Sequence, residues 1–212
     1  MKERIKQKAH DLFMQYGFRS ITMDEIAEAL GVSKKTLYQY YVDKDEMVEE
    51  VVKDVINESQ NRCNRDRQAA KDAVHEIFLA VEMMQEMFKN MNPSILYEME
   101  KYYPKAFRHF IQHKHNFIYK VLLENIERGI AEELYRNDFD KDIIIKARLE
   151  TMMLAFNQQL FPKNKYSLAI VETELTNHFL FGVASLKGHK LILKYQQESI
   201  KKTETNEKTT VK

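Results

Sequence analysis

Punctuation is the feature that most restricts what this chain can fold into. Five glycines and three prolines interrupt 212 residues. Between them, apolar side chains recur every three or four positions rather than alternating, which specifies helices and leaves little room for strands. Ile5, Ala9, Leu12, Phe13 and Tyr16 form the first stripe, and Gly17 follows where a left-handed residue would end a helix. Thr22 with Glu25 three residues later is a capping box opening a second helix, which would bury Ile26, Ala27 and Leu30 before Gly31. Ser33 caps a third helix. Asp43 and Glu46 launch a long fourth with Met47, Val48, Val51, Val52, Val55 and Ile56 on one face. A fifth is expected through Ala70, Val74, Ile77, Phe78, Val81 and Phe88, a short one after Pro93, and a long one opened by Pro104 and running past Ile126. Two more are expected, one over residues 140–160 and one carrying Leu168, Val171, Leu175, His178 and Gly182 in steps of three and four. The polar stretch 199–212 is expected to be disordered. The expected fold class is all-α.

Composition narrows the function. Thirty-three basic residues against 32 acidic ones exclude a uniformly basic coat, so an anionic partner has to be met by a local patch. No apolar run approaches the roughly 18 residues of a membrane span, and residues 1–13 are too polar for a signal sequence, so a cytoplasmic protein with no membrane partner is expected. The single cysteine, Cys63, permits neither an internal disulfide nor a cysteine metal cage, and is read as an unreactive thiol. No glycine-rich phosphate loop, nucleophile elbow or acid–base constellation is present, so neither an enzyme nor a cofactor is expected. His109 and His113 stand four apart, as metal ligands on a helix do. With no cysteine near, no carboxylate at ligand spacing, and Arg108 and Lys114 alongside, no metal site is expected.

Residues 31–47, GVSKKTLYQYYVDKDEM, gather three lysines and three tyrosines in a chain whose net charge is only +1. Three short helices with a tight LGVS turn between the second and third form a helix-turn-helix pattern, whose second helix enters the DNA major groove. Gly31 can take the positive φ of the bend, Val32 can plug the core, and Ser33 can cap the next helix. On a helical wheel Leu37 and Tyr41 point inward while Lys35, Thr36 and Gln39 point outward, flanked by Lys34, Tyr38 and Tyr40. That face offers ammonium groups for phosphate or guanine, a hydroxyl and methyl for thymine, and an amide for adenine. Thr22 and Lys44 are placed as phosphate clamps on either side. The DNA-contacting set is therefore Thr22, Ser33, Lys34, Lys35, Thr36, Tyr38, Gln39, Tyr40 and Lys44.

The stretch FMQYGFRSITMDEIAEALGVSKKTLYQYYVDKDEM resembles the N-terminal domain of the tetracycline-repressor (TetR) family, a likeness spanning about residues 5–51. Phe13, Gly17, Phe18 and Thr22, then IAEALGVS, then TLYQYYVDK carry it in register. By resemblance Thr36, Tyr38, Tyr40 and Lys44 touch DNA, while Lys34, Lys35 and Gln39 set the operator. Tyr41 departs from the family's usual phenylalanine, and a buried hydroxyl there needs a partner or an edge position. The resemblance implies a domain over 1–46 that binds DNA and a helical domain over 47–198 that dimerises through its last long helices and holds a small effector.

The dimer seams are assigned to Ile144, Ala147, Thr151, Leu154 and Ala155, and to Leu168, Val171, Leu175, Phe179 and Gly182. Met83, Met84, Met87, Phe88, Met91, Tyr97, Met99, Phe107, Phe110 and Phe117 form a soft, aromatic-rich set on the middle helices, either filling the core or lining an effector site. The site is assigned to Met84, Met87, Phe88, Tyr97, Phe107, Phe110 and Phe117. Glu98 and Glu100 offer a counter-charge to a cationic ligand or simply face solvent. The function expected is a homodimeric repressor binding a pseudo-palindromic DNA operator and released by a small, mainly apolar or aromatic effector. The alternative is a helical DNA-associated assembly protein without a pocket, which a closed, fully packed core would favour.

Overall fold

The structure, a computed structural model, describes the backbone of residues 1–210 and the side chains of residues 1–199. Among the described residues the chain is helical apart from turns and one isolated β-bridge, Tyr135 to Ala184. Three helices open it: α1 (Lys2–Tyr16), α2 (Met23–Leu30) and α3 (Lys34–Tyr38). The 26-residue α4 (Lys44–Ala69) leads to α5 (Ala73–Phe88), α6 (Ile95–Tyr102) and α7 (Pro104–Gln112). A π-helical turn, His113–Ile118, joins α7 to α8 (Tyr119–Ala131). Then come α9 (Lys141–Leu154), α10 (Leu168–Val183) and α11 (Leu186–Thr210).

The caps are those the sequence specifies. Thr22 and Glu25 form a reciprocal capping box, Ser33 Oγ accepts from the Thr36 amide, and Asp43 accepts from the Glu46 amide at 2.8 Å. Pro104 occupies the start of α7, where its missing N–H costs nothing. Gly31 is left-handed, with φ 66°, ψ 33°. Gly17 has positive φ but an extended ψ (88°, 161°), so α1 ends without the expected left-handed turn.

Several boundaries differ from expectation. Ala70 belongs to the end of α4, and Asp72, accepting from the His75 amide, opens α5. Helix α3 is short because i to i−3 bonds, such as Tyr40 N to Leu37 O, tighten it after Tyr38 and leave Gln39 and Tyr40 in the turn. Helix α9 stops at Leu154 rather than at 160, because the Asn157 side chain accepts from the amides of Gln159 and Leu160 and folds the chain into a turn. Gly188 lies buried inside α11, an additional helix beyond the two expected last. The expected disordered tail, 199–212, falls almost wholly on residues outside those whose side chains are described, with α11 carrying the backbone to Thr210.

The largest apolar core is continuous across position 46. It joins Ile5, Phe13, Phe18, Ile26 and Leu37 of the first helices to Val48 and Val51 of α4 and to Ile95, Met99, Tyr103 and Ala106 of α6 and α7. A second core gathers α5, α10 and α11, and smaller ones lie between α8 and α9 and between α9 and α10.

Tyr41 fills the first core with its ring, while its buried hydroxyl meets no protein partner and burial pushes its pKa up to about 12. An unsatisfied hydroxyl is destabilising in such a place. Tyr41→Phe keeps the ring and removes the orphan, so urea denaturation is expected to show a gain of about 1 kcal/mol. A loss of stability would mean that the hydroxyl does find a partner.

Candidate functional site

Helix α3 is held against α1 and α2 by Leu37, which is fully buried, and by half-buried Val32 in the turn. With that face fixed, Ser33, Lys34, Lys35, Tyr38, Gln39 and Tyr40 are exposed, as is Thr22 at the head of α2, and Thr36 is half-buried beside them. The hydroxyls are partly engaged already: Thr22 Oγ1 in its capping box, and Ser33 and Thr36 with each other at 2.9 Å. The Lys34 ammonium sits 2.7 Å from Asp24 on α2, an exposed pair that raises the lysine's pKa. Lys44 is set back from this face. It is half-buried, with its ammonium 5.9 Å above the rings of both Phe13 and Tyr103, and burial lowers its pKa.

Behind the reading face, α6 is bolted to the α1–α2 loop. The buried Glu98 carboxylate accepts from the Arg19 amide at 2.8 Å and from Ser94 Oγ at 2.8 Å. The Arg19 guanidinium lies 4.5 Å over the Tyr102 ring and donates to its hydroxyl. The Asn92 amide donates to Met14 O at 2.7 Å. Glu98 therefore does not counter a ligand charge, and Glu100 is exposed.

The other side of α6 faces a cavity of about 180 Å³, to which Ile95, Leu96 and Met99 contribute. Eight of the eleven methionines line it, from Met14 to Met153, so its wall can reshape at little cost. Of the residues assigned to an effector site, the fold brings Met84, Met87, Phe88 and Phe110 to this cavity. Three lie elsewhere. Tyr97 is 57% exposed and accepts from Lys101, because it projects from the outer side of α6. Phe107 packs into the first core and stacks on Phe110. Phe117 stacks on His113 and lines a separate, open groove.

The polar residues of the cavity wall, Ser59, His113, Lys114 and Glu172, lie outside the assigned set. Lys114 is only 5% exposed, and its ammonium is held 2.9 Å from Glu150. His113 is paired at 3.1 Å with Gln60, and burial lowers its pKa from 6.5 to about 4. Glu172 is 1% exposed. One of its oxygens, Oε1, takes the Arg148 guanidinium, which also donates to Thr176 and Thr151, while Oε2 meets no protein donor. Burial raises the Glu172 pKa against the pull of Arg148.

The π-helical turn aligns this wall. Ala106, Phe110, Lys114, Ile118, Leu122 and Ile126 are all buried or half-buried at steps of four, which in an α-helix would drift by about 40° each. A wider turn at His113–Ile118 absorbs part of that drift and keeps Lys114 and Ile118 facing inward. The run of four-residue spacings was the signal available in the sequence. His109 does have a carboxylate neighbour, Glu49, 60 positions earlier and 3.0 Å away, which local spacing could not reveal. Among the described residues no group of three or more His, Cys, Asp or Glu is placed to hold a metal.

The assigned dimer seams divide. Leu168 is 7% exposed and packs with Ala155, Val171 and Phe88 inside the chain, and Phe179 packs between the second and third cores. Thr151, Leu154 and Leu175 are half-buried, whereas Ala147 and Gly182 are exposed. The outward apolar positions on these helices are Ile143 (63% exposed) on α9 and Ile170 (62%) on α10. On α10, Leu168 and Val171 pack within the chain, and the outward apolar position, Ile170, lies one residue from Val171.

Residues 5–51 match the family described as bacterial regulatory proteins, tetR family. The uncharacterized HTH-type transcriptional regulator YvaF of Bacillus subtilis is 34% identical over 108 residues, 50% of this chain and 56% of that protein. The match thus spans little more than half of that relative's length. Among solved structures, a TetR-family transcriptional regulator from Agrobacterium tumefaciens superposes with a TM-score of 0.72 at 14% identity, covering 87% of this chain and 97% of the other. A transcriptional regulator from Saccharomonospora viridis in complex with choline does so with a TM-score of 0.70 at 16% identity and the same coverage. At such identities the likeness is one of fold. Among the described residues no helix is long and apolar enough to cross a membrane.

The His113 environment has a measurable consequence. Its folded-state pKa lies below the ordinary value, so the unfolded chain takes up a proton near pH 6.5 that the folded chain refuses until about pH 4. Stability is full above that window and falls as the pH drops through it. His113→Gln is expected to flatten this slope, seen as a smaller change in urea midpoint between about pH 7 and about pH 5 than in the unaltered protein. Equal slopes in both proteins would show that His113 is not the group responsible.

Proposed function

We propose that this chain, which belongs through residues 5–51 to the TetR family of bacterial regulatory proteins, is a homodimeric repressor that holds a pseudo-palindromic operator and releases it when a small, mainly apolar or aromatic effector enters the methionine cavity. The observation that carries this reading is the double-sided position of α6. Ile95, Leu96 and Met99 line the cavity, and Glu98 between them grips the Arg19 amide in the loop that leads to α2. An occupant that displaces α6 displaces the reading helix with it. It shifts the equilibrium only insofar as it binds the displaced state better.

Two copies are required for a two-fold operator, with reading helices separated by about 34 Å, one turn of duplex. The outward stripes of α9 and α10, with Ile143, Ala147, Ile170 and Gly182, are the surface on which we place that pairing. Thr22, Ser33, Lys34, Lys35, Thr36, Tyr38, Gln39, Tyr40 and Lys44 are assigned to DNA. A role on DNA places the protein in the cytoplasm. The choline held by the Saccharomonospora viridis regulator is consistent with an effector role for this fold. The reading as an assembly protein without a pocket is disfavoured by the cavity itself.

A gel shift on DNA upstream of the chain's own coding region tests the assignment. Tyr38→Ala and Gln39→Ala are each expected to weaken specific binding by about 1–3 kcal/mol, on the order of ten- to a hundred-fold. Undiminished sequence-specific binding by both variants would refute it.

A further inference from the structure

One residue of the cavity wall, Glu172, has a polar atom left over. Among the charged groups of the wall, the Lys114 ammonium is already held by Glu150. Glu172 gives Oε1 to Arg148, and Oε2, in a side chain 1% exposed, has no protein donor. A buried carboxylate oxygen without a donor is unfavourable, and a ligand able to donate to it gains what the protein lacks. The rest of the wall favours a particular body for that ligand. Methionine sulfurs and the rings of Phe88, Phe110 and Phe156 are soft, polarizable surfaces that suit an aromatic group and the diffuse positive charge of an alkylated nitrogen.

The mouth of the cavity points the same way. Met14, Val55, Ser59, Met83, Met87 and Met91 line both the cavity and an open groove outside it. That groove carries three carboxylates, Asp11, Glu58 and Glu86, against one guanidinium, Arg62, and one imidazole, His10. A cleft with this balance concentrates cations and repels anions. Size sets the scale: a cavity of about 150 Å³ holds a benzene-sized molecule, so this one, at about 180 Å³, admits a ring with a short substituent.

We infer that the cavity takes a compact aromatic molecule whose charged end is a protonated amine, with that N–H donated to Glu172 Oε2. The inference rests on the effector reading of the same cavity and gives that effector a chemical class. An anion would bring a second acceptor to an oxygen that itself can only accept. A neutral hydrocarbon would leave Oε2 as it is. Burial has already raised the carboxyl's pKa, and a cation beside Oε2 opposes that rise.

Three probes of similar size separate the alternatives on the full chain: N,N-dimethylbenzylamine, its uncharged isostere isobutylbenzene, and 3-phenylpropanoate. Binding is followed by calorimetry, and release of operator duplex by fluorescence anisotropy. The amine is expected to bind at least about ten-fold tighter than isobutylbenzene, the scale of one charge-assisted hydrogen bond, with no binding by the carboxylate. Glu172→Gln is expected to bring the amine down to the hydrocarbon's affinity. Equal affinity for amine and hydrocarbon, an undiminished preference in Glu172→Gln, or no binding by any probe overturns the inference. If Glu172→Gln does not fold, the preference of the unaltered protein decides. Release of operator by the hydrocarbon or the carboxylate but not by the amine overturns the amine class while the ligand-responsive reading stands. Glu172-dependent amine binding that leaves the operator complex intact supports the site assignment and overturns the effector reading.

Discussion

The structure depends on the absence of a seam between the part that presents α3 and the part that encloses the cavity. Phe13, Phe18 and Tyr103 meet in sequence as tilted rings with centroids 5.4 and 5.5 Å apart, so α1, the loop after it and the start of α7 share one packed interior. Beside them Glu98 reaches so close to the loop that a Cβ at residue 17 would stand 3.0 Å from its carboxylate oxygens. Residue 17 must be glycine on two counts, its positive φ and this approach. Close-packed interiors transmit displacement rather than absorb it, so a shift of α6 is felt by the helices that share this core with it.

The cavity combines a compliant wall with a fixed polar frame. Unbranched methionine side chains can repack around differing shapes, whereas the Arg148–Glu172 pair on α9 and α10 is tied by further bonds to Thr151 and Thr176. Buried ion pairs contribute little net stability, but loss of one partner leaves a charge stranded at a cost of about 3–5 kcal/mol. Their value here lies in orientation. The pair ties α10 to α9 and leaves one buried oxygen of Glu172, a residue of the cavity wall, without a donor.

The first 50 residues were legible because their signals are local. A hydroxyl or carboxylate three residues ahead of a glutamate, or a glycine between two short apolar stripes, acts within one turn, and the caps at Thr22, Ser33 and Asp43 form as those spacings dictate. The cavity was half legible. Met84, Phe88 and Phe110 belong to it while Tyr97, Phe107 and Phe117 do not, although their chemistry is alike. What separates them is direction, set by the π-helical turn and by packing partners far along the chain. Lys114, Arg148 and Glu172 escaped notice for the same reason. Their partners lie 36 and 24 residues away, and a charged residue is read as solvated until its partner is known. Leu168 packs within the chain, and an apolar stripe shows that a face is covered, not by what.

The ion pair between Lys34 and Asp24 has a consequence for the DNA-binding role proposed for α3. Lysines on such a face gain affinity for any duplex by displacing the cations condensed on its phosphates. Lys34 begins with its charge partly neutralised, and recruiting it to phosphate leaves Asp24 facing the same polyanion. The sequence-blind attraction is correspondingly shallow. In that role discrimination would fall to the exposed amide and rings of Gln39, Tyr38 and Tyr40, groups whose hydrogen bonds and stacking carry no net charge.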